Sequence, residues 1–271
     1  AESAKRLIDR GLRSDESWPE GKAYLLNTTD GGRNVRATTY SRVQAALGAA
    51  YPIEMIDADS LVGKSDVMFE FTGWAIVKNI ASNHFLDGAI ADHLTSLGGL
   101  LSGGEQTTAL EWLEAGVTGS YGAVIEPCNF RQKFPDVGVV MAHYLAGESL
   151  VEAYWKSVLM PGQGVFVGDP LARPFGGIHL SRIGTTTVMK TRMLQPGRYI
   201  VESAPRQIGP FRPMGVLTAS GFGVREMKLP DGEARYFRLR LAPDAPREAA
   251  STPPAATPPQ AASTPAASAP E

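Results

Sequence analysis

Six strand-length runs dominate the chain before Pro170: Lys22 to Asn27, Ile53 to Ile56, Asp66 to Phe71, Gly88 to Asp92, Ser120 to Ile125 and Gly164 to Val167. Several are apolar at nearly every position, which strands buried on both faces require. Helical patterns fall between the later runs. Ala37 to Ala50 carries Tyr40, Val43 and Leu47 on one stripe, and Gln106 to Ala115 closes on Gly116. Ser149-Leu150-Val151-Glu152 opens a third helix as a capping box that continues through Trp155. Strands alternating with helices predict an α/β domain built on a parallel sheet with helices on both faces.

Near Pro170 the pattern changes. From Ile178 to Leu241 the segments are short, rich in Val, Ile, Tyr, Phe and Thr, and separated by turns such as Gln195-Pro196-Gly197 and Pro230-Asp231-Gly232. Phe237, Leu239 and Leu241 alternate with Arg238 and Arg240, so one face is expected inside and the other in water. From Ala242 to Glu271 the chain is almost entirely Ala, Pro, Ser and Thr, too poor in large apolar side chains to offset ordering entropy. The expected units are therefore 1–175 (α/β), 176–241 (a small antiparallel, sandwich-like β module) and 242–271 (a disordered tail).

The 271 residues carry 26 Lys and Arg against 28 Asp and Glu, a net charge of -2, so no global basic field points to a nucleic-acid or anionic-membrane partner. The single cysteine excludes an internal disulfide, and no apolar run approaches the roughly 18 residues of a membrane span. The chain opens at Ala1, in a helical pattern with Ala4, Leu7, Ile8 and Leu12 on one face. That start is expected of a processed or truncated product, exported or periplasmic if a signal was removed. Oligomeric state is not legible.

A parallel sheet gathers the residues that follow its strands at one edge, where open α/β folds place their sites. Three polar clusters qualify: Thr72-Gly73-Trp74, Asp92-His93-Leu94-Thr95-Ser96 and Glu126-Pro127-Cys128-Asn129. Pro127 stiffens the turn that carries Cys128, which suits a nucleophile, and His93 is the candidate base, with Asp92 or Glu126 to orient it. Both readings compete with bland ones, an inert buried thiol and a structural histidine held by backbone. Trp74, Ser96, Gly98, Gly99 and Asn129 are candidate substrate contacts, and backbone N–H groups of Gly98 to Gly104 are candidate oxyanion donors. The Gly-rich stretch is not a phosphate loop, because Glu105 stands where the lysine belongs. Asp92, His93, Glu126 and Cys128 lack the local spacing of a zinc site, so neither metal nor cofactor is expected.

The order of these segments resembles the caspase-like superfamily, in particular gingipain-like cysteine peptidases. The resemblance rests on Ser149 to Ser157 leading into Gly164-Val165-Phe166-Val167-Gly168-Asp169-Pro170-Leu171. It rests also on Ala109-Leu110-Glu111-Trp112-Leu113-Glu114-Ala115-Gly116 followed by Gly119-Ser120-Tyr121-Gly122-Ala123. Ala91-Asp92-His93-Leu94-Thr95-Ser96, Glu126-Pro127-Cys128-Asn129 and Ala153-Tyr154-Trp155-Lys156-Ser157 resemble more closely a bacterial family with no assigned activity. The resemblance covers about Lys22 to Leu171 and implies a caspase-like sheet followed by an immunoglobulin-like module. A peptide or amide substrate, or a peptide or protein partner, is likewise only implied. The superfamily's His-Gly position reads Phe71-Thr72-Gly73-Trp74 here, and its cysteine position reads Asp92-His93-Leu94-Thr95-Ser96. Two expectations follow: a cysteine hydrolase with a rearranged His93/Cys128 site, or a non-catalytic caspase-like binding or cell-envelope scaffold.

Overall fold

The computed structural model describes residues 2–125, 129–184, 186–221, 223–229 and 236–242. Helix α1 (Glu2–Ser14) is followed by β1 (Lys22–Asn27), a 3₁₀ turn (Asn34–Thr39), α2 (Tyr40–Leu47), β2 (Ile53–Asp57), β3 (Val67–Thr72) and β4 (Phe85–His93). Then come α3 (Ala109–Ala115), β5 (Gly119–Ala123), α4 (Val137–Leu145), α5 (Leu150–Ser157) and β6 (Gly164–Gly168). The strands form one sheet in the order β2-β1-β3-β4-β5-β6. Neighbours from β2 to β5 run parallel, and β6 runs antiparallel to β5, so the sheet is mostly rather than wholly parallel.

The strand positions follow the apolar runs because central strands must bury both faces. β3 is buried at every position, even at Glu70 and Thr72. Phe69 and Phe71 point to the face covered by α2, α4 and α5. There the Phe69 ring meets Tyr144 edge-on at 6.1 Å and stacks on Phe175 at 6.3 Å. Glu70, Thr72, Ala91 and His93 point to the opposite face, where α3 brings Trp112 beside His93. Helices therefore flank both faces. α3 starts on the Thr108/Glu111 capping box and ends at Gly116, whose φ of +119° only glycine adopts cheaply.

The β module holds β7 (Ile178–Ile183), β8 (Thr186–Thr191), β9 (Gly197–Ala204), β10 (Arg212–Ala219), β11 (Arg225–Leu229) and β12 (Tyr236–Leu241). They form two three-stranded antiparallel sheets, β11-β8-β7 and β10-β9-β12. Both sheets contribute to one small core around Met189, Val201 and Leu229. Trp18 anchors the module. Its indole N–H donates to the Gly176 carbonyl at 2.8 Å, its ring lies 4.1 Å from that of His179, and the Arg192 guanidinium lies over it at 5.8 Å. Residues 243–271, where the sequence predicts a disordered tail, lie outside the described residues. Among the described residues no helix is long and apolar enough to cross a membrane.

Candidate functional site

The site is built where β1, β3 and β4 end. Strand β4 runs through His93 instead of stopping at Asp92, and that single residue changes the chemistry. Successive strand residues face opposite sides, so Asp92 and His93, adjacent in sequence, are parted by the sheet. Asp92 shares its face with Phe71, and His93 shares its own with Thr72. In this geometry the Asp92 carboxylate, one of the two expected orienting groups, lies on the sheet face opposite the His93 ring.

His93 is buried, and both of its ring nitrogens are engaged. The Trp112 indole N–H donates to Nδ1 at 3.0 Å; since an indole can only donate, Nδ1 is the acceptor. Nε2 then carries the proton and donates it to the Thr107 carbonyl at 2.9 Å. Burial pushes the imidazole down to about 3, and the nearby Arg36 and Arg33 charges push the same way. Gly98 closes the remaining edge: a Cβ there would lie 3.1 Å from His93 Cε1. The neutral imidazole thus has both ring nitrogens engaged and Gly98 against its Cε1 edge.

On the other face, Arg36 reaches from the 3₁₀ turn beneath the strand ends. Its Nη1 lies 2.6 Å from Asp92 Oδ1, and Nη2 donates to the Thr72 carbonyl at 3.0 Å. A buried guanidinium stays charged and needs a counter-ion, and Asp92 supplies it. Burial pushes the Asp92 carboxyl up, while Arg36 and the Tyr154 hydroxyl draw it back. Arg36 thus ties the ends of β3 and β4 together. Sequence reasoning missed it because one arginine in an amphipathic stretch carries no mark of burial.

Above these frame groups lies a cavity of about 270 Å³ lined by Gly32, Arg33, Leu94, Thr95, Ser96, Asn129 and Phe134. Of the residues expected to contact a substrate, it includes Ser96 and Asn129. Trp74 packs against the main core, and Gly98 and Gly99 lie on β5. The Gly99 N–H donates to the Ala123 carbonyl at 2.8 Å, so it is already committed and points at no oxyanion. Cys128, which precedes Asn129 directly in sequence, and Glu126 lie outside the described residues.

The cavity is rich in donors. Arg33 Nε donates to Thr95 Oγ1 at 3.0 Å and Nη1 to Asp30 at 2.9 Å, which hold the guanidinium in place. Asp30 is in turn occupied by the backbone N–H groups of Gly32 and Arg33. Asn129 Nδ2 donates to the Gly32 carbonyl at 2.7 Å, linking the segment after β5 to the segment after β1. The remaining Arg33 N–H groups, the Ser96 hydroxyl and the Asn129 amide can meet a carboxylate or a run of carbonyls. Among the described residues no cluster of three His, Cys, Asp or Glu could hold a metal. No protein-family model, curated protein or solved structure matches the chain.

Proposed function

We propose that the α/β domain is a binding domain of caspase-like architecture, the scaffold reading, and that its cavity receives a carboxylate-bearing end of a peptide or protein partner. The observation that carries this reading is the sealing of His93 between Trp112 and Thr107, which leaves no nitrogen to take a proton from a thiol. Arg33, fixed by Thr95 and Asp30, is the grip. The caspase-like part is supported by helix α5 leading into β6 and Gly168-Asp169-Pro170, as the resemblance implies.

The rival reading, a cysteine hydrolase, needs Cys128 as a thiolate at neutral pH. Cys128 is the only cysteine, so alkylation by iodoacetamide reports on it alone. The expected rate rises with pH as an ordinary thiol titrates, around ~8.5. A rate already level at pH ~6 and lowered in His93→Gln would restore the hydrolase. For the cavity, an acetylated tetrapeptide with a free carboxyl end should raise the melting temperature, and its amide should not. Arg33→Gln should remove the effect. Equal shifts for acid and amide in both proteins would end the binding assignment.

A further inference from the structure

The net charge of -2 conceals two opposite halves. From Ile178 to Leu241 there are eleven Lys and Arg against four Asp and Glu, whereas residues 1–177 carry fourteen against twenty-one. The β module is a cation joined to an acidic domain. Such asymmetry is a physical statement about partners, because each half presents its own field at short range.

The arginines of the module are gathered. Register pairs Arg238 with Glu202 and Arg240 with Ile200, and with Arg198 they share the outer face of sheet β10-β9-β12, opposite inward-facing Val201 and Leu239. Glu202 is buried between two of them, 2.5 Å from Arg238 Nε and 3.7 Å from Arg240 Nη2, so one carboxylate faces two guanidinium groups and leaves a net positive charge. The loop from β9 to β10 stands at one end of this face. Its Ile208 is 91% exposed and lies between exposed Arg206 and Arg212. Beside it Arg238 sits 4.2 Å over the Phe211 ring, and Tyr236 is also exposed.

An isoleucine held almost wholly in water, with exposed arginines two residues before and four residues after it, matches an interface whose outer layer is anionic and whose inner layer is apolar. Nucleic acid would answer the charge but not the apolar tip. The aromatic ring of the same loop, Phe211, is covered by Arg238 instead of standing open for a base to stack on. We propose that the β9–β10 loop and the outer face of sheet β10-β9-β12 dock on an anionic lipid bilayer. Ile208 enters the headgroup boundary while Arg206, Arg212, Arg238 and Arg240 meet lipid phosphates and anionic headgroups. This surface is independent of the cavity and of the function proposed for it.

The test is co-sedimentation of the full chain with phosphatidylcholine vesicles, with and without phosphatidylglycerol. Binding should require phosphatidylglycerol and weaken as salt is added. Ile208→Ser should lower affinity about tenfold. Arg206→Gln with Arg212→Gln should lower it by about tenfold or more. These side chains are exposed, so circular dichroism of the variants should match that of the wild type. Absence of binding to phosphatidylglycerol vesicles overturns the proposal. Undiminished binding by the loop variants overturns it too, since another surface would then be responsible. So does tight binding of a DNA duplex by a protein that ignores vesicles.

Discussion

Glu70 lies on the central strand β3 between Tyr24 and Ala91, and burial alone pushes its carboxyl up to about 8. In the unfolded chain the same group ionises near ~4.3. Between those values the unfolded state has lost the proton and the folded state has kept it, so stability falls as pH rises by up to about 1.4 kcal/mol per pH unit. The loss is absent below the unfolded value and complete above the folded one. Glu70→Gln should therefore be more stable than the wild type by about 2–4 kcal/mol at pH ~8, with the difference shrinking toward pH ~5. Urea midpoints across that range measure it, and a difference that does not change with pH would refute it. The same alternation that buries Glu70 parts Asp92 from His93. That separation was within reach of the sequence, because it follows from counting in twos once the strand is known to include His93. The partners Trp112 and Thr107 were not, because they arrive from α3 and the turn before it, and spacing says nothing about which side chain a helix lays on a strand end.

At the scale of elements, all six strands of the α/β domain were legible because near-continuous apolar runs leave few alternatives. Helix α4 was not. Its sequence VGVVMAHYL is apolar nearly all round, so it shows no stripe for periodicity to detect. The Gly-rich loop was read as a set of oxyanion donors, yet Gly98 and Gly99 lie directly on Gly122 of β5. A Cβ on Gly122 would collide with the backbone of both, and backbone cannot rotate away as a side chain can. Gly122→Ala should cost about 1–3 kcal/mol or more, whereas Gly31→Ala, where nothing lies within 4 Å, should be close to neutral. Similar urea midpoints for the two variants would show that the loop does not press on the strand.

For the whole molecule, one total charge hid two fields of opposite sign, although summing each segment separately would have found them. The joint between the halves centres on Trp18, held at a φ of +50° and gripped by Gly176, His179 and Arg192. Trp18→Ala should loosen the module without unfolding the α/β core. Limited proteolysis should then cut near residues 173–178 several-fold faster and release an intact α/β fragment. An unchanged cleavage rate would mean that the joint is held elsewhere.

The reversed direction of β6 has a consequence for how the protein breathes. Ala123 at the end of β5 pairs with Gly164 at the start of β6, so residues 124–163 leave the sheet and return to the same point. Gly119 to Gly168 is thus a long hairpin whose helices α4 and α5 fold back onto the sheet face that holds Phe69, so it can loosen only together with that part of the core. The cavity straddles its border: Asn129 and Phe134 belong to the hairpin, while Gly32, Arg33, Thr95 and Ser96 belong to the rest of the sheet. A ligand bridging that border would slow amide exchange throughout the hairpin, far beyond the residues it touches.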